Sequence, residues 1–143
     1  MIVVDTNVIG YLLLTSPHSR EAEQTLLRDP HWVAPVLWRS EFRSVLSSYL
    51  RQQLLTLEDT LAIMDEATSL MLTREYEVAS FQVLRLVADS QCSAYDCEFV
   101  ALALSLGVPL VTGDRQIQQQ FPHVAISLGD FAAGRGTENA SQR

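Results

Sequence analysis

Four carboxylates in this chain stand where an alternating strand–helix sequence presents reactive groups. Asp5 closes the apolar run at residues 2–4, in Val3-Val4-Asp5-Thr6-Asn7. Asp114 follows another such run, in Leu110-Val111-Thr112-Gly113-Asp114. Asp96 lies in the first turn of an apolar helical segment, and Glu41 lies early in the segment after Pro35. Three of them have simple structural uses. Asp5 and Asp114 could cap the helices that follow them, and Asp96, three residues after Ser93, fits a capping box. Glu41 is harder to explain that way. On a helix it stacks with Leu37, Trp38 and Val45, which read as core-facing. A carboxylate held at least half buried there needs a cation as partner.

Taken together, the four acids fit one site better than four separate uses. At separations of about 5 Å and an effective dielectric of about 20, each ionised pair repels by roughly 3 kcal/mol. About six such pairs approach the stability of a whole domain. The cluster is tolerable only if some acids are protonated or divalent cations sit among them. Oxygen donors with no accompanying His or Cys suit Mg²⁺ or Mn²⁺ rather than zinc. Such ions would create a docking point for a phosphodiester. Cys92 and Cys97 are five apart with no His partner and read as core thiols. His18, His31 and His123 sit beside prolines or in loops and read as surface residues.

The elements that must position these groups follow from periodicity. Residues 2–5 form a strand buried on both faces. A helical stretch comes next, then a second at residues 17–28, a short strand at 32–34, and a long helix opened by Pro35 and running to about residue 53. Thr56 caps a helix to about residue 72. Residues 77–79 are a candidate strand, Ser80 caps a helix to about residue 90, and residues 93–106 form an apolar helix ended by Gly107. Residues 109–112, 114–121 and 124–126 complete the pattern as strand, helix and strand. This alternation predicts an α/β domain with a mainly parallel sheet. Such sheets place ligands beyond the carboxyl ends of their strands, where strand order reverses.

Length and charge narrow the function. The chain has 143 residues, enough for one domain with its own core. All ten of its cationic residues are arginine, which excludes a P-loop lysine or a Schiff-base lysine. Seventeen acids against ten arginines give a net charge of −7, which disfavours nonspecific adhesion to nucleic acid or anionic membrane. A nuclease whose site is built of carboxylates remains compatible with that balance. Arg39, Arg43 and Arg115 flank the four acids and are candidates for weak substrate contact, or equally for solvated helix faces. No apolar run is long enough to span a bilayer, and no basic leader precedes the first one, so the expected location is the cytoplasm. Apolar residues at 11–14 and 26–27 offer surface for a partner or belong to the core.

At the four acids the chain resembles a known family. Val3-Val4-Asp5-Thr6-Asn7-Val8, Ser40-Glu41-Phe42, Tyr95-Asp96-x-x-Phe99-Val100-Ala101-Leu102-Ala103 and Leu110-Val111-Thr112-Gly113-Asp114 resemble a PIN domain in order and spacing. More narrowly, they are similar to the VapC-type toxins of bacterial toxin–antitoxin pairs. The resemblance covers about residues 1–130. It implies a three-layer α/β/α sandwich around a mainly parallel sheet of four to five strands. Residues 1–133 would be the nuclease domain and 134–143 a flexible tail. It carries the acidic quartet onto Asp5, Glu41, Asp96 and Asp114, with Thr6 and Thr112 as helper hydroxyls. The implied activity is a Mg²⁺- or Mn²⁺-dependent endoribonuclease, often a homodimer, held inactive by a cognate antitoxin. Thr6, Asn7 and Thr112 would orient the ligands. Cys97 and Glu98 depart from the family pattern. Glu98, two residues after Asp96, is expected on roughly the opposite helix face.

Two other classes are weighed against this. A haloacid-dehalogenase-type phosphohydrolase also begins strand–Asp, but it needs a second Asp where this chain has Asn7, and a lysine that is absent. A PIN-like module that binds without catalysis is the other.

Overall fold

Ile2, Val3 and Val4 are wholly apolar, and all three are buried in the strand they form, β1 (Ile2–Val4). The computed structural model describes residues 1–136, and β1 lies at the centre of their five-stranded sheet. Its neighbours are β2 (Trp32–Pro35) and β4 (Leu110–Thr112), with β3 (Glu75–Tyr76) and β5 (Ala125–Ser127) at the edges. The order is β3-β2-β1-β4-β5, and every pairing is parallel.

Parallel neighbours require crossovers, and the helices supply them. Between β1 and β2 lie α1 (Thr6–Leu13) and α2 (Ser19–Arg28); between β2 and β3 lie α3 (Trp38–Arg51) and α4 (Leu57–Leu70). The chain then returns across the sheet through α5 (Ser80–Ala88) and α6 (Ala94–Leu106) to β4. A short α7 (Arg115–Gln120) leads to β5, and α8 (Leu128–Ala132) follows. Right-handed crossovers put α1 to α4 on one face and α5 to α7 on the other. The contacts agree. α1 packs on α2, α3 and α4, α2 packs on α8, and α6 packs on α5 and on β1, β2 and β4. The result is the three-layer α/β/α sandwich expected, with an all-parallel sheet. No helix of the described residues is long and apolar enough to cross a membrane.

α6 shows most directly how sequence becomes position. Cys97 and residues 99–103 are all buried, as suits a helix inserted between the sheet and α5. Its ends are specified locally. The Ser93 hydroxyl accepts the Asp96 N–H at 3.0 Å, and Gly107 closes the helix with φ +66°, a left-handed conformation that favours glycine. The first turn of α6, with Asp96, thereby lies at the carboxyl edge of the sheet.

Several boundaries differ from the sequence pattern. Pro35 does not open α3; it ends β2, because β3 pairs with that strand, Ala34 opposite Glu75 and Pro35 opposite Tyr76. The Val36 N–H continues that ladder to the Tyr76 carbonyl, so α3 begins only at Trp38. The same pairing sets β3 at Glu75–Tyr76 instead of 77–79. Ser80 is the first residue of α5, and Ala79 precedes it as a cap without a side-chain bond. α8 is an addition. Its Ser127 hydroxyl accepts the Asp130 N–H at 3.1 Å, a capping pattern visible in the sequence. The tail expected from residue 134 lies outside the described residues from 137 onward. Before that point Arg135 pairs with Asp130 at 2.9 Å, and Gly134 bonds the Phe131 carbonyl.

Candidate metal centre

The chain runs outward from β1 in one direction to β2 and β3, and in the other to β4 and β5. The strand order therefore reverses beside β1, and sheets of this kind take their ligands at such a point, here the carboxyl ends of β1 and β4. Asp5 stands at that point, 7% exposed, as the residue that caps α1. Both its oxygens are engaged. Oδ1 accepts the Thr6 N–H at 2.8 Å, and Oδ2 accepts the Thr112 hydroxyl at 2.6 Å and the Asn7 amide at 3.5 Å.

Two threonine hydroxyls extend this into a chain of three acids. Thr112 Oγ1 also accepts the Asp114 N–H at 3.0 Å, so its single proton is committed to Asp5. Asp114 caps α7 through the Ile117 N–H, also at 3.0 Å. On the other side Thr6 Oγ1 donates to Glu41 Oε1 at 2.7 Å, while its backbone N–H holds Asp5. The order Glu41–Thr6–Asp5–Thr112–Asp114 thus joins α3, α1, β1, β4 and the start of α7. Asn7 closes it from the side, its Oδ1 accepting the Gly113 N–H at 3.2 Å. Asp96 stands outside this chain and is tied to it by charge alone.

The electrostatics follow from burial without a counterion. The Asp5 carboxyl is pushed up from 3.8 to about 7, chiefly by desolvation and further by the charges of Glu41 and Asp96, against the opposing bonds from Thr112 and Thr6. Glu41 is raised by burial and by Asp96 and Glu98, and Asp96 by burial and by Asp114. None of the four has an ion-pair partner among the described residues. Nor do any three described His, Cys, Asp or Glu side chains form a ready-made chelating set. The acids feel one another across a gap, as like charges do. An all-oxygen donor set with this surplus of negative charge fits a hard divalent cation. Asp5, Glu41, Asp96 and Asp114 are the residues that could hold it.

The remaining candidates separate clearly. Arg39 is committed elsewhere, its Nε and Nη2 each 2.5 Å from the Glu75 carboxylate. That pairing raises Arg39 and lowers Glu75, whose other bond comes from the Trp38 indole. Arg43 bonds the Arg39 carbonyl and Ser40. Arg115 is exposed beside Asp114. His18, His31 and His123 are exposed, and Cys92 and Cys97 are buried, free thiols. Glu98, in the same helix as Asp96, is half-buried and raised by that burial, and its charge adds a little to the raising of Glu41. Tyr11 escapes the sequence pattern. It is one helical turn after Asn7 and lies against Gly113, a spacing that α1 makes readable.

Acids crowded at the switch point of an open parallel sheet, with hydroxyls between them and no ion-pair partner among the described residues, form a donor set that suits a hard divalent cation. The comparisons agree with that chemistry. The PIN domain profile matches residues 2–124, and the chain belongs to that family, whose members are generally metal-dependent nucleases. Among solved structures the chain is similar to PAE2754 from Pyrobaculum aerophilum, with a TM-score of 0.70 and 18% identity over 95% of this chain and 96% of that one. At that identity the likeness is one of fold. No curated protein matches the sequence.

Proposed function

We propose that the protein is a Mg²⁺-dependent endoribonuclease, with Mn²⁺ able to substitute, and the toxin of a toxin–antitoxin pair. The observation that carries this reading is a buried Asp5 with no counterion among the described residues, hydrogen-bonded through two threonines to Glu41 and Asp114 and charge-coupled to Asp96. Bound there, the cation would supply an acidified water and neutralise charge on the phosphate. Asp5, Asp96 and Asp114 would hold it directly. Glu41 would ligate it or orient the attacking water. Thr6, Asn7 and Thr112 fix the carboxylate oxygens in place, since each bonds a candidate ligand or its backbone. The family match sets aside a haloacid-dehalogenase-type phosphohydrolase.

The deciding experiment is cleavage of single-stranded RNA with Mg²⁺ or Mn²⁺, with and without EDTA. Cleavage that persists in EDTA removes the metal mechanism. Binding without cleavage in either cation leaves a silent PIN-like module. The threonine chain gives a sharper expectation. Thr6→Val or Thr112→Val removes one ligand-orienting bond and should lower cation affinity or activity about 10- to 100-fold, read by titration with Mn²⁺. Full activity in both variants would show the bonds to be structural only.

The arginines give another. Arg115→Ala should reduce the slope of log affinity against log salt by about 0.7–1, whereas Arg39→Ala should leave it unchanged because Arg39 serves Glu75. Equal slopes for wild type and Arg115→Ala would place the phosphate contacts elsewhere.

Partner recognition rests on apolar surface. Leu57 and Leu61 are more than half exposed beside a cleft of about 240 Å³ between α3 and α4, and Leu27 on α2 is 85% exposed. We assign such surface to the antitoxin and to a second copy of the chain. Sedimentation of the isolated protein as a monomer at all concentrations would remove the homodimer.

A further inference from the structure

A site built of acids in a chain of net charge −7 attracts RNA poorly by charge, and Arg39 is already paired. Grip on the substrate then needs a source beyond the few phosphate contacts that residues such as Arg115 can supply. One helical turn after Asn7, α1 carries Tyr11 on the same side of the helix. A methyl group on Gly113 would come within 3.2 Å of both Tyr11 Cε2 and its hydroxyl oxygen, and within 3.6 Å of Asn7 Nδ2. The phenol end of Tyr11 therefore borders the peptide between Thr112 and Asp114, beside the carboxylates. Against the Tyr11 ring lies His18, tilted, with ring centroids 4.7 Å apart and planes at 45°. The His18 side chain is 53% exposed, and its Nδ1 stands 3.8 Å from Glu21. Tyr11 is partly buried against the core, whereas His18 is exposed.

We propose that Tyr11 and His18 form a stacking platform for an unpaired nucleobase next to the cleaved bond. The inference rests on the nuclease reading above and adds to it the side chains that would hold a base of the substrate. Bases inside a duplex are already stacked and paired, whereas an unpaired base offers its face to an aromatic ring. Stacking of this kind is sequence-tolerant and does not require a basic surface, which suits this chain.

The test is a double-mutant cycle between protein and substrate. The cleaved bond is first mapped on a single-stranded oligoribonucleotide. KM and kcat are then measured for wild type, Tyr11→Ala, Tyr11→Phe and His18→Ala, each on that oligonucleotide and on versions with one abasic residue flanking the bond. Tyr11→Ala and His18→Ala should each raise KM roughly 5- to 100-fold with little change in kcat, and Tyr11→Phe should recover most of the loss. One abasic substrate should cost wild type a similar factor and cost the alanine variants almost nothing more. Unchanged KM, or losses that simply multiply, overturn the platform while leaving the nuclease reading intact. A wild-type protein that cuts no RNA in Mg²⁺ or Mn²⁺ overturns both. If Tyr11→Ala fails to fold, the exposed His18→Ala decides.

Discussion

Asp5→Asn should abolish RNA cleavage and at the same time make the cation-free protein harder to melt at pH 8. Activity should fall more than about 100-fold, since even residues that only orient a ligand are worth 10- to 100-fold. The gain in stability has a separate origin. Asp5 is 7% exposed, has no counterion among the described residues, and is desolvated enough to reach a pKa of about 7. Ionising it in the folded protein at pH 8 therefore costs about 4 kcal/mol relative to the unfolded chain, at about 1.4 kcal/mol for each pH unit between 3.8 and 7. Asparagine removes the charge at nearly constant volume. Part of the gain is lost, because the Thr112 hydroxyl, whose proton points at Asp5, meets an amide there instead. A thermal melt without cation and an RNA cleavage assay measure the two effects. A variant that melts lower and cuts normally would refute both halves.

The same burial predicts how pH and cations act on the wild-type protein. Below pH 3.8 Asp5 is protonated in both folded and unfolded chains, and the penalty is absent. Between 3.8 and about 7 the folded protein keeps its proton while the unfolded chain has lost it, so stability falls as pH rises. Roughly 3 kcal/mol of the loss lies between pH 5 and pH 8, on the order of 10 °C in Tm for a domain of this size. Glu41, Asp96 and Glu98 are also raised and act in the same direction. Saturating Mg²⁺ or Mn²⁺ should restore stability at pH 8 far more than at pH 5, because a bound cation replaces the proton. Calorimetry at the two pH values, with cation and with EDTA, checks the sign. A cation-free protein that melts higher at pH 8 than at pH 5 would mean that Asp5 is not held as described.

Legibility in the sequence tracked how local the cause was. β1 and α6 could be read because their burial is complete and their ends are marked by Asp5, Ser93 and Gly107. Thr56 was readable for the same reason, its hydroxyl and Asp59 forming a reciprocal cap. β3 was misplaced because two residues carry no periodicity, and only pairing with Ala34 and Pro35 defines them. Pro35 followed the rule for a helix start but was claimed by that pairing. At the site, the types and places of the four acids were visible, as were Thr6 and Thr112. The shared hydroxyl bonds were not, since Thr112 is 107 residues from Asp5 and nothing local records their meeting. The engagement of Arg39 by Glu75 is another long-range fact.

The parallel topology has a consequence for the order in which the molecule is made. During synthesis β1 emerges first, but the neighbour on one of its two sides, β4, is added more than a hundred residues later. Until then Asp5 lacks the Thr112 hydroxyl, and the last acid of the group has not been translated. A ribosome therefore carries no shortened chain in which the four acids are together, and the pairing of β4 with β1 is the step that gathers them.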